Sequence, residues 1–433
     1  MSFKKGFRRF WDDLLTPKLV LLKIIFFFLL GGIVILWPQF TLHQEAIGLT
    51  KYQTGIVGSV LSAVTIVVPL LAGVAGDKLG NYKVILSIST VTAGVGAFLF
   101  TVVPRAEAAT FWVYMIVRVS FGAFQSFSFT LYEGVIMAYG QEYNVDYGFQ
   151  RAWGTLAVFI SSLLGGYITE ATEGFSMIFY LSTGIHIVAG GLMMFLNVEF
   201  KMPAQSLSKQ IFKHLANAEV LMFLGAMLAV GMFIGYIETF MYRYLSDLGA
   251  SPFLISLTVT VGAPLELPFT LVSSSLVAKV GHAPVIMLGL LTYSVRLLGI
   301  SFLSNPWWSL ALEALESVAN GLTFPAGIMY CTVLFSMETI TSSRGLMGLT
   351  YFGIGKLIGT VVGTEIRESV GDVQTFRWFS GAALVATVLY CIGFTALKRK
   401  RSRAAAAPQL TPPNENRHLG GIDNLAMESG SVD

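Results

Sequence analysis

Long apolar runs recur along this chain, and they constrain its fold more than any other feature. A helix needs about 20 mostly apolar residues to cross the hydrocarbon core of a bilayer. The runs are continuous rather than alternating, which favours membrane-spanning helices over the strands of a membrane barrel. The sequence therefore predicts an all-α polytopic membrane protein with twelve transmembrane helices. The predicted spans lie near residues 19–42, 53–76, 84–104, 110–138, 150–169, 175–197, 218–244, 252–277, 283–303, 307–335, 346–366 and 374–396.

The composition excludes several classes of protein. Only 12% of the residues are charged and 54% are hydrophobic, whereas soluble domains carry about 25% charged residues. A cytosolic enzyme, a disordered scaffold and a nucleic-acid-binding protein are excluded on this ground. Cys331 and Cys391 both lie in apolar runs, which excludes a disulfide framework. The sequence shows no metal-ligand spacing, phosphate-binding loop or nucleophile motif, so we expect neither an enzyme nor a bound cofactor or metal.

Basic residues near the ends of the runs predict the orientation of the chain. Lys and Arg are enriched in cytoplasmic loops, and here they concentrate in the head, the middle loop and the start of the tail. We therefore expect both termini to be cytoplasmic. We also expect a multi-pass protein of the plasma membrane rather than of an internal membrane. The predicted parts are a cytoplasmic head at 1–18, six helices at 19–197, a cytoplasmic middle loop at 198–217, six helices at 218–396 and a disordered tail at 397–433.

The two sets of six runs carry an internal repeat. Segment 77–85 follows the second run and segment 278–286 follows the eighth. Transporters are often built from such repeats, and the spacing fits a duplication of six helices rather than chance agreement between two short turns. The residues that coincide at an offset of 201 are Lys78 and Lys279, Gly80 and Gly281, and Val84 and Val285.

The stretch Gly-Val-Ala-Gly-Asp-Lys-Leu-Gly-Asn-Tyr-Lys at 73–83 resembles the 2–3 loop signature of the major facilitator superfamily. Asn81 and Tyr82 replace the usual basic pair of that signature. In the superfamily this loop latches the two halves on the cytoplasmic side. The resemblance implies a major facilitator fold of two six-helix halves, with a cytoplasmic gate formed by Gly73, Asp77, Lys78, Gly80 and Lys83.

Further segments resemble one branch of that superfamily. This branch consists of major facilitator superfamily domain-containing protein 6 and its relatives. This branch is itself similar to the group of the lactose permease and the nucleoside proton symporters. The resemblance implies transport of a small polar solute, a saccharide or a nucleoside, by alternating access with protons as the coupled ion. The segments that carry it are Tyr236–Ala250, Glu266–Pro268, Gly281–His282, Tyr293–Arg296, Asn305–Trp308 and Thr375–Arg377.

Ionisable residues at membrane depth are costly, and they usually face a cavity or a partner. Equal numbers of acidic and basic residues lie within or at the edge of the predicted spans, which indicates pairing inside the protein. Among them, Lys23 is expected to snorkel to the inner surface, and Arg118 and Glu238 are candidates for an outer gate. The full set is Lys23, Arg118, Glu133, Arg151, Glu238, Glu266, Arg296, Glu313, Glu316 and Lys356.

Four of these residues are predicted to couple transport to protons. Glu313 and Glu316 share one helix face, and Arg296 is expected at a similar depth, which suits either a site that holds and releases one proton or a fixed structural pair. The resemblance matches Arg296 to an essential arginine of the lactose permease. Glu266 stands between two prolines; it lies either at a simple kink or on a cavity wall, where it matches the permease's essential glutamate. The predicted set is Glu266, Arg296, Glu313 and Glu316.

Four others are predicted to contact the substrate. Segment 147–154 resembles a permease segment in which Arg151 matches an arginine, and Glu133 matches the sugar-binding glutamate before it. An ordinary salt bridge at the ends of two helices is the alternative. Trp153 could stack on a sugar face or a nucleobase, and Lys356 is either an anion contact or the partner of a glutamate. The predicted set is Glu133, Arg151, Trp153 and Lys356.

The main rival of a transporter is a non-transporting cell-surface receptor or interaction protein on a transporter fold, because fold alone does not fix function. Large outer loops would favour a receptor, whereas the outer loops predicted here are short. A channel fits two halves with opposed charges less well than alternating access does. The expected partners are a small-molecule substrate, protons and the lipid bilayer, without nucleic acid.

Overall fold

A computed structural model of the chain describes residues 17–79, 81–142, 147–196, 217–335 and 340–406. Within these ranges the chain is helical and contains no strand, which confirms the predicted fold class. Short 3₁₀ turns at Phe100–Val102 and Pro306–Trp308 and a π-helical segment at Leu349–Gly355 accompany the α-helices. These are α1 (Pro17–Val34), α2 (Gln39–Ala46), α3 (Lys51–Leu79), α4 (Tyr82–Leu99), α5 (Thr110–Glu142), α6 (Tyr147–Ala171), α7 (Ser176–Met193), α8 (Ala218–Asp247), α9 (Pro252–Val280), α10 (His282–Ile300), α11 (Ser309–Leu334), α12 (Ile340–Gly348) and α13 (Lys356–Ala406).

Ten stretches of the described helices are long and apolar enough to cross a membrane, so the predicted number of twelve stays a prediction. Two features account for the difference. Helix α5 is 33 residues long, but Gln125 and several serines interrupt its apolar sequence. The last stretch, Ser343–Arg399, is 57 residues long, and at 1.5 Å per residue this is far longer than one crossing of a core of about 30 Å.

Helix α13 reverses its direction at Gly371, whose φ of 79° lies in the left-handed region. One ring shows the reversal. Tyr236 of α8 packs against Gly363, before the break, and its ring centroid lies 4.4 Å from that of Phe379, after the break. In a straight helix Gly363 and Phe379 would be about 24 Å apart. The two arms of α13 are therefore antiparallel neighbours, as the two separate runs near 346–366 and 374–396 predicted.

The structure differs from the predicted boundaries at both ends of the chain. The first predicted span is interrupted between Val34 and Gln39, because Pro38 has no backbone N–H to continue a helix, and α2 follows as a short separate helix. At the other end α13 continues to Ala406, into the segment 397–433 that was predicted to be disordered. The head at 1–16 and most of the middle loop at 198–217 lie outside the described residues.

The internal repeat has a structural counterpart at the predicted outer side, which is the side opposite the start of α1. Gly48 and Gly249 stand 201 residues apart, with φ of 88° and 86°, and each ends a helix that leads into a turn. Thr50 and Ser251 follow at the same offset. The hydroxyl of Thr50 accepts a hydrogen bond from Gln53 N (3.2 Å), and that of Ser251 accepts one from Leu254 N (3.3 Å). The same glycine turn and helix cap thus open α3 and α9.

The apolar core is divided between the two halves. One large cluster of buried side chains joins α8, α9, α10, α11 and α13. Two smaller clusters join the helices from α1 to α7. Because almost all contributors to each cluster come from one half, the halves pack as two separate bodies. Leu42 of α2 is the exception among the buried side chains, since it packs in the cluster of the second half, and the half-buried Phe175 also packs against that cluster.

Small residues bring the two halves together along two seams. In the first, Gly166 of α6 packs on Ser256 of α9, and the Ser162 hydroxyl donates to the Ser256 carbonyl (2.9 Å). In the second, Gly55 of α3 packs on Thr364 of α13. If the halves are duplicates, α3 corresponds to α9 and α6 to the first arm of α13. The two seams are then the same contact seen from each half.

Inside the second half, α8 meets α13 and the end of the π-helical segment through their backbones. The contact is a glycine seam formed by Gly231, Gly235, Gly355 and Gly359. A Cβ atom on Gly359 would collide with the backbone of Met232, and one on Gly235 would collide with the backbone of Lys356. Close approach of this kind is typical of packed membrane helices, which have no hydrophobic effect between them to drive association.

We expect Gly359→Ala to destabilise the protein, because the added methyl group has no room between α8 and α13. Overpacking of this kind costs about 1–3 kcal/mol. The midpoint of thermal unfolding in detergent measures the change. Gly381→Ala is the matched control, since Gly381 lies on the same helix and a Cβ atom there meets open space. Equal midpoints for the two variants would contradict the packing described for the seam.

Candidate coupling and substrate site

A buried charge cluster joins α10 and α11. Arg296 of α10 is only 1% exposed. Its Nη2 atom lies 3.0 Å from Glu313 Oε1 and also forms an ion pair with Glu316 of α11. The structure thus brings together three of the four residues predicted for proton coupling.

The position of this cluster follows from helix geometry. Arg296 stands one turn before the end of α10 at Ile300, and Glu313 stands one turn after the start of α11 at Ser309. Both lie about 6 Å from the ends of two antiparallel neighbours, so their side chains meet. Arg296 Nε and Nη1 are buried and have no hydrogen-bond partner among the described residues. The guanidinium therefore keeps donors that the two carboxylates do not use.

Sequence reasoning missed the hydrogen bonds that extend the cluster. Asn320 Nδ2 donates to Glu316 Oε1 (3.2 Å). The Asn320 Oδ1 atom accepts from the hydroxyls of Tyr293 (2.5 Å) and Tyr351 (3.0 Å). The spacing of Asn320, one helical turn after Glu316, was the available signal. The carboxylate of Glu316 is thus linked through one amide to tyrosines of α10 and of the π-helical segment.

Lys356 lies at the start of α13 and pairs with Glu238 of α8. Its Nζ atom is 2.6 Å from Glu238 Oε2, and the two side chains are 18% and 28% exposed. Of the two alternatives for Lys356, the structure shows the partner of a glutamate. It also separates Glu238 from the outer-gate pair suggested with Arg118, because Arg118 instead stacks on the ring of Phe40 at 3.7 Å.

Glu266 lies inside α9 between Pro264 and Pro268, and its side chain is exposed. Gly262, one turn before it, accepts a hydrogen bond from the Ser317 hydroxyl of α11 (3.0 Å). The carboxylate of Glu313 stands 3.9 Å from the position that a Cβ atom of Gly262 would take. Glu266 is therefore about one helical turn along α9 from the buried cluster, towards the predicted cytoplasmic side.

The remaining predicted residues lie towards the other end of the bundle. Glu133 of α5 and Trp153 of α6 are both half-buried. The side chain of Arg151 lies outside the described residues, so its pairing with Glu133 stays a prediction.

The predicted cytoplasmic gate is described only in part. Gly73, Asp77 and Lys78 are described solely as parts of the last turns of α3, and Gly80 lies outside the described residues. Lys83 is exposed in the first turn of α4. The gate therefore stays a prediction.

A charged latch joins the two halves at the predicted outer side, and no sequence pattern pointed to it. Lys51, the first residue of α3, forms an ion pair with Asp247 at the end of α8 and lies 3.0 Å from Asp372 Oδ2 of α13. Asp372 is also paired with Arg367. We use the name outer latch for Lys51, Asp247 and Asp372. All three stand at helix ends, where charged residues are ordinary and carry no signal.

Polar contacts beside the outer latch also join the two halves at the predicted outer side. Arg243 of α8 donates to the carbonyl of Leu49 (3.0 Å) and lies 3.9 Å from Glu45. Gln39 of α2 donates to the Ser256 hydroxyl of α9 (2.8 Å). The break that sets α2 apart from α1 thus places a short polar helix between the halves.

Comparison with known proteins agrees with this architecture. The sequence model of the MFS_1 like family matches residues 19–378, which is most of the chain. The chain belongs to the MFS_1 like family. It is an integral, multi-pass membrane protein whose relatives are transporters of the major facilitator superfamily.

Individual relatives are distant but cover almost the whole chain. The maltose permease of Geobacillus stearothermophilus is 23% identical over 396 residues, which cover 89% of this chain and 95% of the permease. The uncharacterized transporter YwbF of Bacillus subtilis (strain 168) is 22% identical over 351 residues, covering 81% and 86% of the two chains.

Solved structures show the same fold. The nucleoside transporter NupG superposes with a TM-score of 0.73 at 16% sequence identity, covering 88% of this chain and 99% of NupG. A mutant of the same transporter gives a TM-score of 0.75.

We expect Arg296→Gln to destabilise the protein more than Glu313→Gln does. Without Arg296, the carboxylates of the buried Glu313 and the half-buried Glu316 remain together without a cation, and breaking a buried ion pair from one side costs about 3–5 kcal/mol. The double variant Arg296→Gln, Glu313→Gln should recover part of this loss. Unfolding midpoints in detergent for the four members of the cycle measure the coupling, and additive losses would contradict it.

Proposed function

We propose that this protein is a proton-coupled symporter that moves a small polar solute by alternating access. The observation that carries the proposal is the cluster of Arg296 with Glu313 and Glu316. Two carboxylates and one guanidinium leave one negative charge at membrane depth, where uncompensated charge is costly. Binding of one proton neutralises the cluster, and its release restores the charge. A site of this composition suits a cycle in which the proton and the solute cross together.

The hydrogen bonds around Glu316 support a role in proton movement. The side-chain amide of Asn320 donates a hydrogen bond to Glu316 and accepts hydrogen bonds from two tyrosine hydroxyls. Loss of the negative charge on Glu316 would weaken its bond to Asn320 Nδ2, since hydrogen bonds to ionised groups are the stronger kind. Protonation of Glu316 would in this way change the hydrogen bond between Asn320 and Tyr351, which lies in the π-helical segment before Lys356.

The distribution of contacts supports alternating access. The outer latch and the contacts of Arg243 and Gln39 hold the halves together at the predicted outer side. Glu266, in the middle of α9, is exposed, and a carboxylate at that depth faces water rather than lipid. We infer that the described conformation is open to the predicted cytoplasmic side, and that the outer latch breaks in the opposite conformation.

The proposed substrate is a saccharide or a nucleoside. The names of the maltose permease and of NupG support these two classes. Glu133, Arg151 and Trp153 are the proposed contacts in the first half, and Lys356 with Glu238 offers a donor and an acceptor in the second. Carboxylates accept from hydroxyl groups and cations donate to oxygen, which suits a polyhydroxylated solute.

The finer assignments follow the sequence. We propose that the protein belongs to the branch of major facilitator superfamily domain-containing protein 6 and that it resides in the plasma membrane. Both termini would be cytoplasmic, as the basic residues indicate.

Proton flux tests the proposed coupling. In proteoliposomes that contain a pH-sensitive dye, we expect maltose or uridine to trigger a pH change with the unmodified protein. Glu313→Gln and Glu266→Gln should abolish this change, because neither side chain can then exchange a proton. Glu107→Gln, an exposed substitution in the turn before α5, is the matched control and should retain it.

The alternative outcomes point to different functions. Entry of labelled solute without a pH change would show a uniporter whose carboxylates are structural, and coupling would be refuted. Neither flux nor entry would favour a receptor or interaction protein on a transporter fold.

Labelling of an introduced cysteine tests the outer latch. Thr239→Cys, in a background with Cys331→Ser and Cys391→Ser, places a thiol below the latch, where Thr239 packs on Gly58 of α3. Lys51→Ala should increase the rate of labelling from outside by a membrane-impermeant maleimide several-fold, because the closed outer side loses its cation. Lys83→Ala, an exposed change on α4, should leave the rate unchanged. An unchanged rate with Lys51→Ala would refute the latch.

A further inference from the structure

Arg118 is an arginine at membrane depth that the described residues leave without a carboxylate at ion-pair distance. Five other cations of the described spans and helix ends each lie within 4 Å of an acidic side chain. The pairs are Lys51 with Asp247 and Asp372, Arg243 with Glu45, Arg296 with Glu313 and Glu316, Lys356 with Glu238, and Arg367 with Asp372. Arg118 therefore differs from these cations in what surrounds it.

The position of Arg118 is deep. It stands eight residues after the start of α5 at Thr110, about 12 Å from the predicted outer end of the helix. Its side chain is half-buried, and its Nε atom is buried without a hydrogen-bond partner in the described part of the chain. A permanent charge at such a depth is costly unless a counter-charge or water meets it.

The guanidinium of Arg118 is held in one orientation by two aromatic rings. Its central carbon lies 3.7 Å from the ring centroid of Phe40 and 5.8 Å from that of Phe121. Such contacts attract the cation to the face of the ring, but they leave its charge in place. The flat face is thus occupied, and the edge that carries the N–H donors contacts the Tyr114 hydroxyl. The buried Nε atom keeps a donor that no described residue uses.

One nitrogen of the Arg118 guanidinium lies on the side of the membrane middle, although the group also contacts Tyr114 one turn back along α5. This nitrogen, Nη1, lies 3.9 Å from the position that a Cβ atom would take on Gly122, one turn further along α5. Side chains on helices normally lean towards the N-terminus, which for α5 is the predicted outer side. Gly122 leaves the space for the opposite direction.

The space in front of Gly122 leads to the boundary between the halves. Leu61 Cδ2 of α3 lies 2.8 Å from the position that a Cβ atom would take on Gly122, and one turn away on α3, Gly58 packs on Thr239 of α8. Thr239 follows Glu238, which pairs with Lys356. Arg118 and the Lys356 pair therefore approach the same short stretch of α3 from the two halves.

We propose that Arg118 binds an anionic group, a carboxylate or a phosphate, on the transported solute. The fork of a guanidinium matches the oxygens of either group and donates two parallel hydrogen bonds to them. Entry of the anion supplies the counter-charge that the described residues do not provide. This inference rests on the proposed function and narrows it, because it assigns an acidic derivative of a sugar or a nucleoside as the substrate.

Thermal unfolding of the full chain in detergent tests the inference with two matched pairs of ligands. One pair is glucose and glucuronate, and the other is uridine and uridine monophosphate. We expect at least one acidic member to raise the unfolding midpoint by several degrees more than its neutral partner, since a ligand stabilises the state that binds it. Glucuronate identifies a carboxylate and uridine monophosphate identifies a phosphate.

Variants assign the effect to Arg118. Arg118→Gln should remove the extra stabilisation, and Arg118→Lys should reduce it, because an ammonium lacks the fork. Arg377→Gln is the matched control and should retain it, since Arg377 also stacks on a phenylalanine, with its guanidinium 5.2 Å from the ring centroid of Phe302, but is exposed. Without ligand, Arg118→Gln should leave the midpoint unchanged or raise it, as expected when an unpaired buried charge is removed.

Several results would overturn the inference. A large drop in the unliganded midpoint with Arg118→Gln would make Arg118 a structural clamp between α2 and α5. Equal effects of the acidic and neutral members, or no effect of either acid, would exclude an anion site. If neutral solutes drive proton flux and acids neither bind nor cross, this inference fails while the proposed symport stands. If acids bind through Arg118 and no proton moves, the coupling fails and the anion site remains.

Discussion

The cost of an unpaired charge inside a bilayer is the constraint on which the rest of this structure depends. It explains why Arg296 of α10 lies at the same depth as its two carboxylate partners on α11. It also explains why Lys356 of α13 pairs with Glu238 of α8. The same cost makes these residues informative about function. Well-packed apolar residues would stabilise the fold about as well as a buried ion pair does, so stability alone does not explain the charges. Charges kept under such a constraint are expected at the places where a membrane protein does chemical work.

The two halves use charge differently. In the second half Arg296 pairs with two carboxylates and Lys356 pairs with Glu238. The first of these groups extends through a hydrogen bond of Asn320. In the first half Arg118 leans on aromatic rings instead. In the proposed function, the second half would exchange a proton and the first half would offer a cation to the solute. The short helix α2 lies between them, because the break at Pro38 allows its polar side chains to reach the second half.

Much of the fold was predictable from the sequence, because the length of an apolar run measures a membrane crossing directly. The meeting of Arg296 with Glu313 and Glu316 was also predictable, since helix spacing and depth fixed both partners. The outer latch was not, because Lys51, Asp247 and Asp372 belong to three helix ends that only tertiary packing brings together. The choice of Lys356 rather than Arg118 as the partner of Glu238 likewise depends on how closely α8 and α13 approach. The helical continuation to Ala406 escaped prediction because charged and alanine-rich sequence resembles a solvated tail as much as a helix.

The glycine seam between α8 and α13 has a consequence for the way in which the second half can move. Helices that touch through their backbones cannot slide past one another without a collision, so α8 and the first arm of α13 move as one rigid unit. Glu238 and Lys356 both belong to this unit, next to the point where Gly235 meets the backbone of Lys356. A rocking motion of the half carries the pair along intact. Only rotation of the two side chains can separate them, which makes their opening a local event with its own timing rather than a by-product of the large motion.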